Sequence, residues 1–226
     1  MPDVFGRRDP EEVLAFIVAF VVAITIHEFM HAWTAWRLGD DTAQRLGRIT
    51  LNPVAHFEPI GFIGMMLIAF GYPAFGWGKP VPVNPNRLRS NLRGHQGGMA
   101  LVAFAGPLSN VVQAAAVAIP IRLSNRRFAD FGEAGLYLEV FVLVNLLLAA
   151  FNMIPIPPLD GHKILTGILP NFWYPILAPL EQYGFAILFL LFFLGRGLGG
   201  GSITGEMITP VYELLADVVV GNPNLF

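Results

Sequence analysis

The sequence predicts an all-α polytopic membrane protein with about four to six transmembrane helices, a re-entrant segment and short membrane-associated β-strands. Three observations carry this. Of 226 residues, 54% are hydrophobic and only 13% charged, and the mean hydropathy is +0.58. A charged share near half the usual ~25% excludes an ordinary soluble enzyme, a coiled coil and a disordered chain. Long runs without Lys or Arg alternate with Pro- and Gly-rich polar stretches. Seven of the fourteen Lys and Arg residues fall within residues 37–93. The length fits one domain over 1–226, with a core at about 13–195 and a C-terminal helix, amphipathic or partly spanning, at 203–221.

The elements follow in order. Residues 13–36 contain no Lys or Arg, and their ionisable groups are His27, Glu28 and His31. As a helix they reach roughly 36 Å, enough to cross a bilayer. The preceding MPDVFGRRDPEE lacks the apolar core and cleavage site of a signal peptide. Ile49-Thr50-Leu51 reads as a short strand before the Asn52-Pro53 turn, and Val81 and Val83, set around Pro82, read as an edge strand. Residues 60–75 are apolar but short, with Gly61, Gly64, Gly71 and Pro73. Because basic residues flank them on both sides, the positive-inside rule places the whole stretch 37–93 in the cytoplasm, so 60–75 enters and leaves on one side.

Residues 99–121 form a second span without a charge. Residues 134–154 form a third, carrying Glu139 and stopped by Pro155, Pro157 and Pro158. Residues 172–194 read as a fourth, with Glu181, followed by a glycine-rich loop at 195–201. In 203–220 the acids Glu206, Glu213 and Asp217 share one helical face.

The chemistry sits in HEFMH at 27–31. His27 and His31 are one turn apart, so both imidazoles reach one metal ion, and Glu28 stands beside them free to act as a base. Three ionisable side chains inside an apolar helix each cost at least about 2.5–3.5 kcal/mol of insertion, which a divalent metal offsets. A catalytic site needs a third ligand. Asp160 in NMIPIPPLDG is the best candidate, because it follows a helix broken by prolines, and broken backbone in membrane proteins gathers ion sites. A re-entrant 60–75 makes the histidine helix parallel to 134–154, which brings Asp160 to the level of the histidines. His56 reads as a loop hydrogen-bonder, His162 as a neighbour of the site, and Glu139 and Glu181 as water-facing groups near helix ends. Asn110 and Asn152 admit two readings: interhelical hydrogen bonds, or donors to a substrate carbonyl or oxyanion.

Three motifs, HEFMH at 27–31, GPLSN at 106–110 and NMIPIPPLDG at 152–161, resemble in type and order those of the site-2 protease family of intramembrane zinc metalloproteases. LGRITLNPVAHFEPIG and GWGKPVPVNP are similar to its compact prokaryotic branch, which lacks PDZ and CBS domains. The resemblance implies one Zn2+ held by His27, His31 and Asp160, Glu28 as base, and Asn110 and Asn152 as substrate-handling groups. It implies cleavage of transmembrane protein or peptide substrates within the lipid bilayer of the cell, with the site toward the cytoplasm. A divalent metal transporter and a catalytically silent zinc-binding membrane protein are the alternatives. With a net charge of −2, nothing points to nucleic acid. With no cysteine, thiol chemistry is excluded.

Overall fold

The computed structural model describes residues 9–90, 94–194 and 203–221. The N-terminal segment 1–8, Arg93 and the glycine-rich stretch 195–201 lie outside the described residues.

Helix α1, Pro10–Arg37, begins with proline at its first turn and Glu11 and Glu12 beside the positive end of its dipole, and closes with Arg37 at the negative end. It stops at Gly39, whose φ of +100° puts the backbone where a side chain is disfavoured. The fully buried Asp40 then accepts from the backbone N–H of Thr42 at 3.1 Å and of Asn84 at 2.7 Å, tying the end of α1 to a loop 44 residues away. A one-turn helix α2, Thr42–Arg45, follows.

Helix α3, Pro59–Ala69, has 11 residues. It reaches only about 16 Å, half of the ~30 Å hydrocarbon layer. Its glycines let the outgoing chain lie directly against it. A methyl group on Gly64 would come within 1.6 Å of the Phe75 carbonyl oxygen, and one on Gly61 within 2.0 Å of that of Trp77. The two arms end side by side where Lys79 N–H donates to the His56 carbonyl at 2.8 Å.

Helix α4, Gly94–Leu123, is the central post and carries Pro107 and Pro120 inside it. A short connection through 124–132 returns the chain into α5, Glu133–Asn152. His27 meets Asn110 of α4 while His31 meets Val102, so α1 and α4 run antiparallel. The α4–α5 turn-back makes those two antiparallel as well, and α1 and α5 therefore point the same way. Lipid offers no hydrophobic drive for helix pairing, so close packing of small residues must supply it. Ala15, Ala19, Ala23, Ala114, Ala118, Ala149 and Ala150 are all buried at these contacts. The outer faces present Leu14, Val18 and Val22 of α1 and Leu101, Phe104, Leu108 and Val112 of α4, an apolar exterior suited to lipid.

After the proline break come α6, Asp160–Ile168, α7, Tyr174–Leu194, and α8, Ile203–Val219. Helix α8 is amphipathic, with Glu206, Glu213 and Asp217 exposed and Tyr212 and Val219 buried against α4 and α5.

The protein is a helical membrane protein, and two expectations change. Among the described residues three helices, Pro10–Arg37, Gly94–Leu123 and Glu133–Asn152, are long and apolar enough to cross a membrane, fewer than the four to six expected; the apolar part of α7, Pro175–Leu191, is shorter. No β-strand occurs among the described residues, so the strands expected at 49–51 and 81–83 are not formed. Pro80 and Pro82 remove every second N–H that a ladder would need. The Thr50 carbonyl is occupied by His56 Nε2 at 2.9 Å. Residues 73–84 lie outside helices and ladders.

Candidate metal centre

The site is assembled from α1, α4, α5 and the start of α6. His27 and His31 lie one turn apart on the buried face of α1, with rings at 86° and centroids 4.6 Å apart. Both Nε2 atoms turn inward, 3.0 Å from each other. Asp160 Oδ2 stands 3.1 Å from each of them. All three residues are buried, and their ligand atoms lie within 4.8 Å of one another.

Asp160 is carried there by the end of α5. The prolines end that helix, and Gly161 packs so tightly on it that a Cβ would meet the Met153 and Ile154 carbonyls at 2.3 and 2.4 Å. Helix α6 is anchored on α4 in the same way, by Gly167 against Ala100.

The outer nitrogens of the two rings are tied down. His31 Nδ1–H donates to the Val102 carbonyl at 2.7 Å, and His27 Nδ1–H donates to Asn110 Oδ1 at 2.6 Å. With the proton on Nδ1, each Nε2 carries a lone pair toward the centre, the arrangement that ligating histidines require.

The residues fit a zinc ion. Two imidazole nitrogens and one carboxylate oxygen form a mixed N/O donor set that leaves a fourth position open, as catalytic zinc sites do. Gly106 faces the two rings: a Cβ there would lie 2.5 Å from His31 Nε2 and 2.6 Å from His27 Nε2, so the space before both nitrogens depends on the missing side chain.

Glu28 is buried, and its Oε2 has no hydrogen-bond partner. A buried carboxylate oxygen left unsatisfied costs free energy, which sets it apart from the great majority of buried polar atoms. It borders a cavity of about 340 Å³ that also reaches His27, His31, Asp160, Asn152 and Lys163. The cavity is also lined by the segment from Phe75 to Val83 and by Phe185 and Leu188 of α7. Lys163 Nζ is 3.7 Å from Asp160 Oδ1.

Other sequence candidates are elsewhere. His56 is buried as a loop hydrogen-bonder between Thr50 O and the Arg48 guanidinium, which also donates to the Lys79 carbonyl. Burial pulls Arg48 below the ordinary guanidinium range, and the negative charge of Glu28 opposes that pull. Glu58 caps α3 by accepting from Ile60 N–H at 3.3 Å. His162 is buried beside Asp160 and faces Glu181 at 3.3 Å. Among the described residues no other cluster of three potential ligands occurs.

The two asparagines part company. Asn152 lines the cavity, with its Nδ2 donating to the Leu148 carbonyl at 2.9 Å. Asn110 is fully buried, does not line the cavity, and uses its amide on His27, Asn145 and the Ala23 carbonyl. Sequence reasoning overlooked Asn145, although an amide inside an apolar run is the signal that singled out Asn110. It also overlooked Gly106, which stands within GPLSN.

Apolar spanning helices that enclose a two-histidine, one-carboxylate centre, with a glutamate beside it and a cavity in front, define a membrane metallopeptidase. The model of peptidase family M50 matches residues 99–194. A Bacillus subtilis protein named "Putative zinc metalloprotease YwhC" is 35% identical over 182 residues, 78% of this chain and 78% of that one. A Mycobacterium tuberculosis protein named "Putative zinc metalloprotease Rip2" is 33% identical over 188 residues, 81% of this chain and 68% of that one. No solved structure matches the chain. The chain belongs to peptidase family M50, the site-2 protease family, and is a zinc metalloprotease.

Proposed function

We propose that the protein is an intramembrane endopeptidase that hydrolyses peptide bonds within the transmembrane segments of other membrane proteins, in regulated intramembrane proteolysis. The observation carrying this is the depth of the centre. His27 lies 17 residues into a 28-residue apolar helix, about 26 Å from its start, so a bond cleaved there lies below the lipid surface.

In this reading His27, His31 and Asp160 hold the zinc, which when bound supplies a Lewis acid that activates water and polarises a carbonyl. Glu28 accepts the proton of the attacking water and passes it to the leaving amine. Its buried, unpartnered Oε2 at the cavity wall supports that role. Asn152 addresses the substrate backbone, and Asn110 acts on His27 rather than on substrate. A substrate helix must unwind before attack, and Val81 and Val83, which keep their N–H groups between the prolines and line the cavity, are the positions where its backbone would pair.

The α3 hairpin is re-entrant, and the whole of 1–226 is one domain. The short reach of α3 and the joined ends of its arms support the first. The basic residues of 37–93 support placing this side, and the centre with it, toward the cytoplasm of a multi-pass cell-membrane protein.

The test is cleavage of a reporter containing a transmembrane segment, reconstituted in liposomes with the wild-type protein or Glu28→Gln, with zinc content measured on both. Cleavage by the wild type, loss of it in Glu28→Gln and equal zinc in the two is the expected result. Cleavage confined to soluble peptides would overturn the intramembrane reading, and cleavage retained by Glu28→Gln would overturn the role of that residue.

A further inference from the structure

Behind the metal-facing histidines runs a chain of amides. Asn145 of α5 and Asn110 of α4 are both fully buried. Asn145 Nδ2 donates to the Phe141 carbonyl at 2.9 Å. Asn110 Nδ2 donates to Asn145 Oδ1 at 2.9 Å, and Asn110 Oδ1 accepts from His27 at 2.6 Å.

A side-chain amide can sit either way round, and an imidazole can carry its proton on either nitrogen, so the surrounding bonds decide. Here the decision starts at a backbone carbonyl, which only accepts. Phe141 O takes the amino group of Asn145, so Asn145 turns its oxygen to Asn110. Asn110 must then present its own amino group to Asn145 and its oxygen to His27. His27 must donate from Nδ1, which leaves the lone pair on Nε2. The Ala23 carbonyl adds a weaker restraint on Asn110, at 3.4 Å.

We propose that Asn145 is a positioning residue for the metal centre: through Asn110 it fixes the tautomer of His27 in which Nε2 is free to ligate. This rests on the reading of His27 as a ligand. Without the Asn145 oxygen, Asn110 is able to turn over and offer its amino group to His27. The imidazole then has to accept at Nδ1 and carry its proton on Nε2, where it blocks coordination.

The test uses the full chain in detergent micelles, with zinc as the probe. The tautomer of His27 is read from imidazole nitrogen NMR shifts of the metal-free protein, and zinc affinity from competition with a chromophoric chelator. In Asn145→Leu, His27 shifts toward the Nε2–H form and zinc binds about 10–100-fold more weakly, the range for loss of an outer partner of a ligand. Asn145→Asp keeps wild-type zinc affinity, because a neutral carboxyl both accepts from Asn110 and donates to Phe141 O. In an Asn110→Asp background, Asn145→Leu has no effect on zinc affinity, since a carboxylate presents an acceptor to His27 whichever way it turns.

An unchanged tautomer and affinity in Asn145→Leu, or an equal loss in the Asn110→Asp background, would overturn the proposal. If Asn145→Leu does not fold, Asn145→Ala takes its place in both assays with the same expected shift and loss, and an unchanged tautomer and affinity there would overturn the proposal equally. A wild-type protein that binds no zinc would defeat the ligand reading instead, and the metal-free tautomer would still report on the relay.

Discussion

His27 Nε2 and Asp160 Oδ2 stand 3.1 Å apart, although 133 residues of chain separate them. Their meeting depends on α1 and α5 pointing the same way and on Gly161 seating the start of α6 against the end of α5. Asp160→Asn keeps the size of the side chain but removes the anionic donor. Its zinc affinity falls by more than the about 10–100-fold typical of an outer partner. Chelator competition measures this, and a wild-type affinity in Asp160→Asn would remove Asp160 from the ligand set.

Glu28 offers a cleaner separation of binding from chemistry. Glu28→Gln preserves shape, and it replaces a carboxylate whose Oε2 has no partner to lose. Zinc content stays at one ion per chain, while the cleavage rate falls by on the order of 10²–10⁴, the usual contribution of a general base. Comparing zinc content with turnover in the same preparation checks both halves.

Gly106→Ala puts a methyl group against both imidazoles, 2.4 Å from His31 Cε1. The displaced rings lose their common focus, and zinc binding is lost. Because no hydrogen bond is removed, the helices still assemble, with a destabilisation of about 1–3 kcal/mol from overpacking. Zinc content together with thermal unfolding in detergent separates a blocked centre from a protein that has failed to fold.

Gly64→Ala tests the hairpin. Its Cβ would enter the Phe75 carbonyl oxygen at 1.6 Å, so the return arm must move away from α3. That arm lines the same cavity as the histidines. The variant keeps its zinc, because no ligand lies on the hairpin, but loses cleavage of a membrane-embedded reporter. Simultaneous measurement of zinc and cleavage would refute the assignment of this wall if both were unchanged.

The histidine helix, the span at 99–121, the span ending near Asn152 and the amphipathic C-terminal helix were legible because each rests on composition and local periodicity. The sequence offered Asp160 as the best candidate for a third ligand because it follows a proline-broken helix, and the structure sets it 3.1 Å from both imidazoles. The strands were misread for a local reason. The valine–proline alternation at 80–83 resembles an edge strand, but pairing requires a second chain segment, and Thr50 was already committed to His56. For Asn110 the sequence left two readings open, because an amide inside a span looks the same whether it faces substrate or a neighbouring helix; the structure gives it interhelical partners, His27 and Asn145.

By itself the sequence determined that a cation site would lie inside lipid-spanning helices, because HEFMH is a one-turn pattern and its insertion cost needs compensation wherever the helix packs. Only the tertiary structure brings Asp160 to the two imidazoles, sets Gly106 before them and ties their outer nitrogens to Asn110 and the Val102 carbonyl. Those relations depend on the direction and register of helices packed against one another. Helix direction follows from topology, and register follows from the contacts of small residues across interfaces that no local pattern records.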